Sequence, residues 1–151
     1  MIYWIKEGNI FTLDGVHSYA HGCNCAGAMG KGIALQFRKR FPEMYLEYKR
    51  LCKEGAFTLG DVYAYQHERG YIFNLGTQTS WRTRAELLAV KSSLEKMLSL
   101  AEKYELTKIA LPRIGAGLGG LNWQEVKEVI EEVGSRHLSI QLYIVEKYKG
   151  D

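Results

Sequence analysis

Proline and cysteine are scarce in this chain, at two and three among 151 residues, and no apolar run approaches the ~20 residues that span a bilayer. Cys23, Cys25 and Cys52 form an odd set without disulfide spacing, so they read as reduced thiols and not as a covalent framework. Met1 through Glu7 lack the basic start, apolar stretch and small-residue cleavage site of an export signal; the expectation is a cytoplasmic protein without a membrane segment. Excess charge of one sign is lacking too. Twenty basic against 17 acidic residues leave a net charge of +3, too mild for a nucleic-acid signature and equally suited to a small phosphate-bearing ligand. What remains, 46% apolar and 25% charged residues, is the make-up of one globular domain, expected over residues 1–151. A chain of this length buries roughly two-thirds of its unfolded surface and needs no staple.

Ile2 to Lys6 reads as a strand, and Glu7-Gly8-Asn9 turns into a second apolar piece, Ile10 to Leu13. Val16 to Cys23 reads as another strand. A helix is predicted over Gly30 to Phe41, ending on Arg38, Lys39 and Arg40, cations that suit a helix C-terminus. Pro42 opens a second helix, which runs to Lys53 before Gly55 stops it. Asp61–Gln66 and Tyr71–Leu75 form a hairpin-like pair, followed by a polar loop over Gly76 to Thr83. Leu87, Leu88, Val90, Leu94, Met97, Leu98 and Ala101 recur at helical steps within Arg84 to Tyr104. Lys108–Leu111 is a short strand, Asn122 can cap a helix to about Val133, and Ser139–Glu146 closes as a strand. Helices alternating with strands predict a three-layer α/β/α domain around a mixed, mostly parallel sheet. Ligands of such sheets sit at the carboxyl ends of strands, and two loops there are glycine-rich.

Gly27-Ala28-Met29-Gly30-Lys31-Gly32 joins a strand to a helix, so its N–H groups can face an anion with the helix dipole behind them. A nucleoside-triphosphate loop fails here, because Cys25 stands where it needs glycine and Gly32 where it needs Ser or Thr. Gly115-Ala116-Gly117-Leu118-Gly119-Gly120 satisfies G-x-G-x-x-G, yet only one helix and one strand follow, too little for a dinucleotide-binding unit. Either loop alone is equally a tight turn using glycine at φ > 0. Two at strand ends favour a diphosphate cradle. His21, Cys23 and Cys25 have no second ligand pair, so neither a metal nor another cofactor is expected. Cys23 and Cys25 read as small buried hydrophobes, and His17, His67 and His137 as surface or turn residues.

Four stretches resemble a known family, the macrodomains, which bind ADP-ribose. They are Glu7 to Phe11, His21 to Ala34, Asn74 to Gln78, and Pro112 to Trp123, and together they span most of the chain. The second and fourth resemble the branch holding terminal ADP-ribose glycohydrolases, ADP-ribose 1''-phosphate phosphatases and antitoxins that remove ADP-ribose from DNA. The resemblance implies an α/β/α fold and a set of ADP-ribose contacts. Asn9 and Ile10 match the turn that contacts adenine; relatives carry an acidic residue at the Asn9 position, and the Asn oxygen can accept the same bond. Gly27, Met29, Gly30, Lys31, Gly32 and Ile33 match the first phosphate loop, with Thr77 beside it. Gly115, Ala116, Gly117, Leu118, Gly119, Gly120 and Leu121 match the second. Asn24 matches the position that orients the distal ribose.

The chain departs from the family at two positions. Gln78 stands where relatives carry a nucleophilic lysine, and Gly119 where some carry a partner aspartate. An amide cannot form a Schiff base with a ribose aldehyde, which excludes lysine-type covalent catalysis. The expectation is then hydrolysis by a bound water, with Asn24 aligning the ribose and His21 as general acid or base. Trp81 and Arg82 resemble a Trp-Arg pair of the DNA-directed antitoxins and can stack a base and pair a phosphate; packing across the loop is the alternative. Two other classes stay open: a non-catalytic ADP-ribose reader, and a nucleic-acid-binding module.

Overall fold

Alternate strand positions sort their side chains onto two faces, and helices cover both. In the computed structural model, which describes residues 1–150, six strands form one sheet. They are β1 (Ile2–Ile5), β2 (Tyr19–Asn24), β3 (Val62–Gln66), β4 (Tyr71–Gln78), β5 (Lys108–Leu111) and β6 (Gln141–Val145). Their order is β1-β6-β5-β2-β4-β3, parallel at every neighbouring pair except the antiparallel β3 and β4. The helices are α1 (Gly32–Arg40), α2 (Pro42–Lys53), α3 (Leu87–Lys103) and α4 (Trp123–Gly134). On one face, Leu94, Met97 and Leu98 of α3 and Val126 and Ile130 of α4 pack with Phe73, Leu75, Ile109 and Leu111. On the other, Phe37 of α1 and Met44 and Tyr48 of α2 pack with Tyr19, Cys23, Ile72 and Ala110. This is the three-layer arrangement expected from the sequence. Asp151, the last residue of the expected domain, lies outside the described residues. Among the described residues no helix is long and apolar enough to cross a membrane.

Local chemistry explains where the elements begin and end. Asn122 caps α4 as expected, its Oδ1 accepting from Glu125 N–H at 3.1 Å. Ile10–Thr12 is a single 3-10 turn and not a strand-like piece, because Asn9 Oδ1 accepts from Phe11 N–H at 2.9 Å. The third helix begins at Leu87 instead of Arg84: Ala85 N–H donates to Gly119 O at 2.9 Å and Glu86 N–H to Thr77 O at 2.8 Å, holding the lead-in out of helical geometry. Those bonds tie it to the end of β4 and to the second glycine loop. The polar loop expected from Gly76 starts later, since Gly76 and Gln78 continue β4 along β2. Gly76 is demanded there: a Cβ would lie 2.6 Å from Thr58 O.

Candidate functional site

Beyond the carboxyl ends of β2, β4, β5 and β6 the chain opens into a cleft of two lobes, of about 500 and 520 Å³. Gly22, Lys31, Ala34, Gln78 and Leu118 line both. Gly22 forms a floor without a side chain; a Cβ on it would crowd Thr77 Oγ1 at 3.0 Å. Leu118 reaches across to the first loop, its Cδ1 lying 3.2 Å from where a Cβ of Gly32 would be, and so bridges the cleft between the lobes. Gly32 and Gly115 hold φ of +59° and +72°, backbone that other residues adopt only under strain.

Both loops present unpaired donors. The N–H groups of Gly117, Leu118 and Gly119 make no hydrogen bond among the described residues, and all three residues line the first lobe. Opposite them stand Gly32, Ile33 and Ala34, the first turn of α1, whose N–H groups have no intrahelical acceptor. Lys31, Arg113 and Lys147 add positive charge to the same walls. Backbone donors, a helix N-terminus and cations converging on one space form a cradle for an anion.

The second lobe is built on two amides. A register shift between Cys23 and Asn24 skips Thr77, so Asn24 pairs with Gln78 across β2 and β4. Asn24 Oδ1 accepts from the N–H groups of Ala26 and Ala28, at 3.0 and 3.2 Å, and its Nδ2 donates to Ala28 O at 2.8 Å. Tyr48 of α2 supports it from beneath: its hydroxyl lies 2.7 Å from Asn24 O and 2.9 Å from Asn24 Oδ1, donating its one proton to either. Asn24 thus folds the first loop around itself and keeps one Nδ2 hydrogen free for the lobe it lines. Gln78 folds the loop of the other wall, spending both Nε2 hydrogens on Ser80 O at 2.8 Å and Thr83 O at 3.1 Å. At the mouth, Trp81 is 62% exposed with the Arg82 guanidinium 4.6 Å over its ring.

Residues 20–130 match the Macro domain family. The chain belongs to that family. It is 34% identical over 146 residues to a DNA ADP-ribosyl glycohydrolase of Thermus aquaticus, covering 93% of this chain and 40% of that protein. The chain thus spans about two fifths of that relative's length. It is 28% identical over 158 residues to an ADP-ribose 1''-phosphate phosphatase of Candida albicans, covering 93% of this chain and 98% of the other. Among solved structures, the macrodomain of Mycobacterium tuberculosis DarG superimposes with a TM-score of 0.89 at 28% identity, covering 100% of this chain and 99% of that one.

The macrodomain cleft brings together most of the residues expected there and leaves some out. Asn24, Gly30, Lys31, Gly32, Ile33, Thr77, Gln78 and Gly115 through Gly119 line it. Gly27, Met29, Gly120 and Leu121 do not: Gly27 packs on Lys49 and Cys52 of α2, Met29 is buried in the core under α1, and Gly120 and Leu121 lead away behind the second loop. Asn9 and Ile10 also line neither lobe; both are buried, and they follow Gly8, which bridges to the lining residue Tyr148. Asn9 Oδ1 already accepts from Phe11 N–H, and its Nδ2 is buried without a partner.

His21 is the clear correction. Its ring is fully buried, stacked on Phe37 with centroids 3.9 Å apart, and its Nε2 lies 2.7 Å from Asn74 Oδ1. It lines neither lobe, so it cannot reach a bound ribose as acid or base. Burial pushes its pKa down to about 4 against the opposing pull of the Asn74 bond. Cys23 does reach the second lobe, but burial raises its thiol well above the usual range, which leaves it unreactive. Sequence reasoning missed Gly22, Arg113, Glu146, Lys147 and Tyr148 as lining residues. A glycine inside a strand hinted at close approach of a ligand; nothing local marked the C-terminal residues.

Proposed function

We propose that this single macrodomain binds ADP-ribose and hydrolyses a bond at C1'' of the distal ribose, releasing ADP-ribose from a 1''-linked phosphate or from an ADP-ribosylated protein or nucleic acid. The observation that carries this reading is one cleft in which two walls of unpaired N–H groups lead to the Asn24 and Gln78 amides. The diphosphate lies between the loops, the adenosine toward Asn9, Ile10 and Tyr148, and the distal ribose against the free Nδ2 hydrogen of Asn24. Similarity to a DNA ADP-ribosyl glycohydrolase and an ADP-ribose 1''-phosphate phosphatase supports the shared product, ADP-ribose. With an amide at position 78 the nucleophile is water. Exposed Trp81, with Arg82 over its ring, is suited to stack a base and pair a phosphate of a nucleic-acid substrate. Three free thiols suit the reducing cytoplasm.

One observation favours a second reading, a non-catalytic reader. Among the described residues neither a carboxylate nor an imidazole lines the second lobe, and burial raises the Cys23 thiol well above its ordinary range. The test is incubation with ADP-ribose 1''-phosphate, an acyl ester of ADP-ribose, and guanosine and thymidine adducts, with chromatographic detection of ADP-ribose. Release from one of them, abolished in Asn24→Ala, supports the hydrolase and names its linkage. Binding of ADP-ribose with release from none supports the reader.

A further inference from the structure

Gln78 holds a side-chain acceptor at the second lobe that the fold orients and leaves unused. Both hydrogens of its Nε2 are spent on Ser80 O and Thr83 O, and only the amide nitrogen can donate to two carbonyls, which fixes the orientation of the group. Its Oε1 accepts no hydrogen bond among the described residues. The sole buried side-chain polar atom there without a partner is Asn9 Nδ2, so Gln78 Oε1 is at least partly open to solvent, on a residue that lines both lobes. The strand register sets Gln78 beside Asn24, which offers a free N–H toward the same space. A fixed acceptor and a fixed donor thus stand side by side where the distal ribose is placed.

We infer that Gln78 Oε1 is the acceptor that holds the attacking water. This rests on the hydrolase reading above. The water donates one hydrogen to Oε1, which turns an oxygen lone pair toward C1''. Its oxygen bonds to C1'' as the bond from C1'' to the leaving group X breaks, X departing with the electron pair. The water's proton passes to X through solvent, and the sum is ADP-ribose–X + H2O → ADP-ribose + H–X. The amide does not take the proton. Its contribution is orientation, as in other hydrolases where a glutamine aligns water. Because an amide does not titrate, Gln78 itself adds no pH dependence to turnover.

The experiment measures kcat, KM and ADP-ribose affinity for wild type, Gln78→Ala and Gln78→Glu, using whichever of ADP-ribose 1''-phosphate, the acyl ester or the guanosine and thymidine adducts wild type turns over. Gln78→Ala is expected to lower kcat on the order of 100-fold, with ADP-ribose affinity within about threefold of wild type. Gln78→Glu places a carboxylate at the water and is expected to restore part of kcat, with activity rising with pH through the carboxylate range. A Gln78→Ala kcat within twofold of wild type overturns the inference, as does a loss of activity matched by the loss of ADP-ribose affinity, which marks Gln78 as a loop staple only. If wild type binds ADP-ribose and releases it from no substrate, the hydrolase reading falls and this inference with it.

Discussion

At the scale of single residues, polar side chains here serve either the fold or the cleft according to what covers them. His21 and Asn24 stand three positions apart on β2, yet α1 covers the first with Phe37, while the strand's end leaves the second at the lobe. The buried imidazole links stability to pH. Its folded pKa of about 4 lies below the ordinary 6.5, so between these values the unfolded chain binds the proton that the folded one refuses. Stability from neutral His21 is complete above pH 6.5 and is lost as pH falls toward 4, amounting to about 2 kcal/mol by pH 5. His21→Gln, which keeps a side-chain amide but does not titrate, is expected to shrink the difference between pH 7 and pH 5 unfolding free energies by about that amount. An unchanged difference in urea melts contradicts the burial argument. The sequence showed that His21 and Cys23 share a strand face. It could not show that α1 closes over that face, because the contact joins elements through tertiary packing alone. Asn24's place at the cleft was legible through the family resemblance, whereas the engagement of Asn9 Oδ1 by Phe11 N–H depended on a turn three residues long.

Elements were legible in proportion to how local their causes are. The spacing of apolar residues found α3, Pro42 found the start of α2, and Asn122 found the start of α4. The extension of β4 through Gln78 and the shift at Cys23/Asn24 were not legible, since they exist only once β2 and β4 lie side by side. That shift matters most to the site, for it sets the two amides together. The coupling of α2 to the first loop runs through Tyr48, whose fully buried hydroxyl contacts Asn24. Tyr48→Phe removes that donor with little change in shape. It is expected to cost roughly 1 to 2 kcal/mol of stability and to weaken ADP-ribose binding severalfold by loosening the loop that Asn24 organises. Thermal unfolding and calorimetry measure the two effects separately. Lost stability with unchanged affinity contradicts the coupling.

For the whole molecule, the layer order and the mostly parallel sheet followed from alternating helix and strand patterns, and the place of the cleft followed from glycine loops at strand ends. The full outline of the cleft did not follow. Its first lobe is closed by Tyr148, brought near Asn9 by a bridge between Gly8 and residue 148, two segments from opposite ends of the described chain. Two joined lobes, the first carrying the anion cradle, suit a ligand with a nucleoside at one end, a diphosphate at the centre and a second ribose at the other. AMP occupies only the first part of that path. The most direct test is calorimetric titration of the wild-type protein with ADP-ribose and with AMP under identical conditions. Filling both lobes and the cradle predicts ADP-ribose binding at least about tenfold tighter than AMP, a difference of about 1.4 kcal/mol. Equal affinity for the two ligands contradicts the place given to the distal ribose beside Asn24 and Gln78.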